Sequence, residues 1–225
     1  MYEWNFNAVW ACREQLLRAF FVTLELNVFV LLVGTLIGIL LGLVGSIKFT
    51  VVRFVIRVYV DLFRTLPILV MLVWFFFCVP ILLGGIRISA FKSAVIVLSL
   101  NLSAFVAEIV RAGLEAVPRM HIEAGRATGL SAWQTTLHVT MPIALRIMVP
   151  PLVGQYINSI KLSVLSSVIA VPELLNRTVA LISQTYRPLE FYTVLAGLFL
   201  ILLLPGTLWS RRLESRQHTV RSEKQ

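Results

Sequence analysis

The sequence predicts an all-α integral membrane protein: five transmembrane helices in a single domain over residues 1–225, with a cytoplasmic helix-turn-helix loop. Three observations predict it. Mean hydropathy is +0.88 and only 14% of residues are charged, against roughly a quarter in soluble domains. The apolar residues run in uninterrupted blocks rather than alternating with polar ones. Most Lys and Arg residues stand at the edges of those blocks, where lipid headgroups would lie.

The predicted spans cover residues 20–47, 54–86, 92–114, 142–171 and 190–210. In the first two, Leu26 to Ile47 and Thr65 to Ile86 contain no Asp, Glu, Lys or Arg. Each is about 22 residues, enough to cross roughly 30 Å of hydrocarbon. The first is also longer than the 7 to 15 residues of a signal-peptide core, so it reads as a retained span. The third carries Glu108 near its end. The fourth contains Pro150, Pro151 and Lys161, which predict a kink or break. The fifth ends in Trp209, Arg211 and Arg212, an aromatic and basic collar, and is followed by a tail over 211–225.

Basic residues distribute unequally between the two sets of edges. Lys48, Arg53, Arg57, Arg64, Arg111, Arg119, Arg126, Arg146, Arg211, Arg212, Arg216, Arg221 and Lys224 lie on one side. Arg13, Arg18, Arg87, Lys92, Arg177 and Arg187 lie on the other. The positive-inside rule makes the first side cytoplasmic, with the N-terminus outside and the C-terminus inside. A formal charge of +9 carried at membrane edges points to lipid as a partner and away from nucleic acid. Five helices are few to enclose a pathway, which predicts an oligomer.

The connection over 115–142 is the most informative polar stretch. Arg119 to Thr128 has helix-forming composition after Pro118, and Gly129 stands where a left-handed residue would close that helix. Ser131 then caps a second helix, with Gln134 completing a capping box, and Pro142 closes it and opens span four. This elbow reads either as a solvated connector or as a surface on which another protein packs. The connection from Glu173 to Glu190 reads as an external loop, solvated or touching a protein that delivers substrate.

Within the spans, Gly34, Gly38 and Gly42 form two overlapping G-x-x-x-G units for close helix packing. Asp61 with Arg64, and Glu108 with Arg111, are one turn apart near the cytoplasmic edge, spaced as ion pairs or as parts of a gate. Lys161 is the charge at greatest depth, so a carboxylate, water or an anionic substrate group should compensate it. Gln155, Ser159, Ser163 and Ser166 recur along the same helix, with Asn158 one turn before Lys161. They are candidates for a substrate pathway or for helix-helix hydrogen bonds, and Asn101 in span three is a weaker one.

Cys12 and Cys78 form neither a metal cage nor a disulfide framework, and no metal site is read. His121, His138 and His218 are scattered, and no catalytic cluster is legible. The chain contains no G-x-x-x-x-G-K-[ST] phosphate loop, so it has no usual means of holding ATP. A transporter or channel driven by an ion gradient would show internal repeats and carboxylates at mid-depth, and neither is visible.

The elbow resembles a known signature. Glu123-Ala124-Gly125, then Gly129, then Val139-Thr140-Met141-Pro142 is similar to E-A-A, x3, G, x9, I-x-L-P of the permease subunits of bacterial ABC importers. Tyr59 to Pro67, Ala107 to Gly113 and Ile169 to Leu174, with Glu214, resemble motifs of the polar amino-acid branch, whose transmembrane domain is MetI-like. Departures are Gly125, Val139, Met141, Met120-His121 and Lys161 to Leu165. The resemblance implies a permease for amino-acid-like substrates in the bacterial inner membrane. It further implies a second permease subunit, a periplasmic binding protein and a dimer of ATPase subunits that bind ATP and Mg, with no cofactor in this chain. Glu123, Ala124, Gly125, Gly129, Ser131 and Pro142 would couple to that ATPase.

Overall fold

The structure is a computed structural model that describes residues 2–46 and 49–222, with side chains as far as Ser210. The readings placed on Ile47, Lys48, Lys224 and the side chains of Arg211, Arg212, Glu214, Arg216, His218 and Arg221 lie outside the described residues. Among these residues the elements are all helical: α1 (Asn7–Ala11), α2 (Arg13–Gly45), α3 (Thr50–Thr65), α4 (Ile68–Leu82), α5 (Ala90–Glu115), α6 (Arg119–Ala127), α7 (Ala132–Thr135), α8 (Met141–Leu162), α9 (Leu174–Thr185) and α10 (Pro188–Ser222). A π-helical turn, Thr136–Thr140, joins α7 to α8, and a 3₁₀ turn, Ser163–Ile169, follows α8. Four helical stretches are long and apolar enough to cross a membrane, and α3 with α4 supplies a fifth crossing if the two are taken together.

Three boundaries differ from the sequence reading. First, the stretch 54–86 is not one helix. α3 ends at Thr65 and α4 starts at Ile68, after Leu66 and Pro67. With 15 residues, α4 alone is short for a crossing, about 22 Å at 1.5 Å per residue. Second, Pro142 does not close the second elbow helix. Helical structure runs from Ala132 through the π turn into α8, so Pro142 lies within a continuous helix, and the wider π turn just before it makes room for a residue that cannot donate the helical bond. Third, Pro150 and Pro151 lie inside α8 without ending it. The change of helix type comes at Ser163, and the 3₁₀ turn stops at Ala170, whose φ is +59°.

Clustering of contacts divides the chain into two units. One comprises Met1–Leu32, Leu66–Ser99 and Ile157–Leu208. In it Leu16, Leu181 and Phe191 form a buried cluster with Ala8, Val9, Cys12, Ile182 and Val194 packed against it. The other comprises Val33–Thr65, Leu100–Tyr156 and Trp209–Gln225. Here α2 and α5 meet closely: a Cβ at Gly34, Gly38 or Gly42 would come within 2.9, 2.5 and 2.7 Å of Leu102, Val106 and Val110. The four-residue steps match on both helices, so one ridge lies against one groove, as the G-x-x-x-G spacing predicts.

Candidate functional site

The elbow forms as its local chemistry dictates. Pro118 precedes α6 in an extended conformation and Gly129 turns the chain with φ of +85°, a region where side chains are strained. Ser131 Oγ accepts from the Gln134 amide at 3.3 Å, and Gln134 Oε1 accepts from the Ser131 amide at 2.9 Å, the complete capping box. Inside the elbow, α6 packs on the π turn. Gly125 is buried, and a Cβ there would lie 3.2 Å from Val139 and 3.3 Å from Thr135. The chain therefore has glycine where the signature has its second alanine because the two arms close tightly on each other.

The outer face of the elbow is uncovered. Glu123 and Ala124 are exposed, and so are the large apolar side chains of Met120 (70%), Trp133 (72%) and Leu137 (49%). These exposed apolar side chains lie on the same ordered elbow as acidic Glu123, an exposure that suits a surface for another protein.

The polar stripe on span four divides. Ser159, Ser163 and Ser166 are buried. Ser163 Oγ accepts from Asn27 Nδ2 at 3.0 Å, and Ser166 Oγ donates to the Ser163 carbonyl at 2.7 Å. Ser163 thus bonds to another helix, while Ser166 bonds back within its own 3₁₀ turn. Asn158 and Lys161 are exposed, and among the described residues Lys161 has no carboxylate within salt-bridge distance. The Gln155 side-chain nitrogen is buried without a hydrogen-bond partner there. Asn101 is also engaged: its Nδ2 donates to the Phe63 carbonyl at 2.7 Å. That carbonyl would pair with the amide of residue 67 in a continuing helix, and Pro67 has none.

Of the two expected ion pairs, one forms. Arg111 grips Glu108 at 2.6 and 3.0 Å and reaches Glu115 at 2.7 Å. Asp61 and Arg64 do not pair. Arg64 lies over the Phe105 ring, 5.2 Å from its centroid, where the flat guanidinium exploits the face of the π system.

Residues 34–218 match the family of binding-protein-dependent transport system inner membrane components. The chain belongs to that family. It is 34% identical over 214 residues to the glutamine transport system permease protein GlnP of Escherichia coli K12, a match covering 95% of this chain and 98% of the relative. It is also 34% identical over 201 residues to the probable glutamine ABC transporter permease protein GlnP of Bacillus subtilis, covering 88% and 91%. Among solved structures, an amino acid ABC transporter crystallised with histidines superposes with a TM-score of 0.86 at 27% identity, over 96% of this chain and all of that one. The inward-facing MetNI methionine transporter, 20% identical with a TM-score of 0.69 over 90% and 98%, shares the fold. This chain is thus the permease subunit of an ABC importer, and ATP is handled by a separate subunit.

Two features of the permease escaped sequence reading. The Glu173–Glu190 connection is largely helix α9, not a loop. Buried Glu173 caps it, accepting from the Leu175 and Asn176 amides at 2.9 and 2.8 Å. Burial pushes the Glu173 carboxyl above its ordinary range, against these donors, which pull it down. Glutamate is an unusual cap, although the buried row Leu174, Thr178 and Leu181 has helical spacing. The second feature is a latch to the N-terminus. Buried Glu190 accepts from the Tyr2 hydroxyl and, at 3.0 Å, from the Asn5 amide, with Arg187 3.5 Å away. Nothing at a separation of more than 180 residues signals such a contact.

Proposed function

We propose that this permease imports a polar amino acid, with glutamine the first substrate to test. The observation that carries the coupling half of this reading is the ordered elbow with its uncovered face of Met120, Glu123, Trp133 and Leu137. In this reading that face seats in a groove of a cytoplasmic ATPase, one of two that bind ATP and Mg. Glu123 pairs with a basic group there, and Gly129 permits close backbone approach. The relatives support the substrate half, since their names specify glutamine transport.

In this reading the N-terminus is periplasmic and the C-terminus cytoplasmic, which the asymmetry of basic residues supports. A second permease subunit completes the pathway, and a periplasmic binding protein delivers substrate. Ion pairs or water-lined space must compensate Lys161, which an amino-acid carboxylate would also suit. The pathway candidates are Gln155, Asn158, Ser159, Lys161, Ser163 and Asn101, of which Ser163 and Asn101 also bond to other helices. The permease forms one domain over 1–225.

The test is reconstitution of the permease with its ATPase and a glutamine-binding protein. Glutamine-loaded binding protein is expected to raise ATP hydrolysis several-fold, and Lys161→Ala to reduce uptake with assembly intact. Absence of stimulation by glutamine and by every other polar amino acid would overturn the substrate reading. Wild-type uptake by both Lys161→Ala and Gln155→Ala would remove span four from the pathway.

A further inference from the structure

On α3, Arg53, Arg57, Asp61 and Arg64 recur at steps of four, four and three, which places them on one face of the helix. They line a cavity of about 230 Å³ together with Glu108 and Arg111 of α5 and with α2 residues. A second space of about 270 Å³ shares Arg53, Arg57 and Arg111 and adds Glu115. Both of α5's carboxylates, Glu108 and Glu115, are taken up by Arg111. Among the described residues, Asp61 is then the one further carboxylate lining either space, and it forms no ion pair with Arg57 or Arg64, the cations nearest it in sequence. Cationic charge exceeds anionic charge here on groups that already have a fixed scaffold.

The opposite face of α3 is apolar and uncovered: Phe54, Val55, Val58 and Leu62 are all exposed. A helix with guanidinium groups along one side and apolar side chains along the other matches the boundary between headgroups and acyl chains. Guanidinium forks suit phosphate oxygens, and several of them can share one phosphate. A zwitterionic amino acid fits less well, because its ammonium would join an excess of cations.

We propose that this space between α2, α3 and α5 binds a phosphate-bearing anion, held by Arg57 and Arg64 with Arg53 beside them, and that in the bilayer the occupant is the headgroup of an anionic phospholipid. The membrane occupant rests on the orientation proposed above, which puts α3 at the cytoplasmic leaflet, where anionic lipids attract basic segments. The anion site itself rests on the cavity alone.

Native mass spectrometry of the assembled importer tests it, with no binding protein or substrate present, so the result is independent of what the importer carries. Phosphatidylglycerol and phosphatidylcholine are titrated separately into wild type and an Arg57→Gln/Arg64→Gln variant. The variant is expected to lose about a hundredfold or more in phosphatidylglycerol affinity, the scale of two charge-assisted hydrogen bonds, with phosphatidylcholine unchanged. Displacement of the lipid by millimolar inorganic phosphate would show that the phosphate alone is read. Resistance to displacement would show that the acyl chains contribute as well; both results support the site. Equal phosphatidylglycerol binding by variant and wild type overturns it. If the variant does not assemble, hydrogen exchange decides on the wild type: residues 50–64 should be better protected in phosphatidylglycerol than in phosphatidylcholine, and equal protection overturns the proposal.

Discussion

The chain reverses at Gly129 and breaks at Leu66–Pro67, and the two interruptions are held by opposite means. At Gly129 everything needed is local. A glycine takes the left-handed turn, and Ser131 and Gln134 satisfy each other's backbone donors three residues apart. At Pro67 the remedy is distant. Proline leaves the Phe63 carbonyl without its helical partner, and Asn101, on α5, supplies the missing donor at 2.7 Å. The first device leaves its outer surface free for another protein. The second engages buried Asn101 and spends its polar group inside the chain, although Leu66 and Pro67 themselves are exposed. A turn built from glycine and a capping box is closed by its own neighbours, whereas a carbonyl orphaned by proline takes its donor from another helix.

The largest effect that sharpens this contrast should come from Gly129→Asp. A side chain in the left-handed region at the elbow's corner, with a charge beside the uncovered apolar face, is expected to lower substrate-stimulated ATP hydrolysis more than about tenfold, the loss of a docking hot spot. Assembly of the permease itself should survive. Unchanged coupling in a purified, assembled complex would return the elbow to a plain connector.

Asn101→Leu should come next, read as stability and not as coupling. Removing the amide leaves the part-buried Phe63 carbonyl without its donor, a cost of about 1 kcal/mol. Thermal unfolding in nanodiscs should show a fall of several degrees, and a midpoint within error of wild type would mean that water reaches the break. Smallest is Ser131→Ala, which removes half of an exposed capping box and should cost less than about 1 kcal/mol. If Ser131→Ala proved more harmful than Asn101→Leu, the division between local and distant support would collapse.

The same distinction separates what could be read beforehand from what could not. The first half of the elbow was legible residue by residue, since helix starts, left-handed stops and capping boxes are rules of three to five positions. Its end was not: Pro142 has the sequence look of a boundary, but the chain widens into a π turn directly before it and stays helical. Pro150 and Pro151 likewise lie inside α8 without ending it, since an α-helix carries proline where its surroundings bear the lost bonds. In span four, serine and asparagine have one composition whether they line a path or bond to another helix. The Asn27–Ser163 hydrogen bond, between positions 136 residues apart, decides that for Ser163.

By itself the sequence determined that this protein lives in lipid, because hydropathy, block length and the placing of basic residues follow from the solvent and need no neighbours. It also determined the elbow's corner and cap and the glycine ridge on α2, each a short-range rule. Only the tertiary structure decided that span two is broken, that Arg64 stacks on Phe105 while Asp61 stays unpaired with it, and that Glu190 anchors Tyr2 and Asn5. Each of those outcomes turns on which distant group arrives to satisfy a charge or a carbonyl, and chain order does not encode that arrival locally.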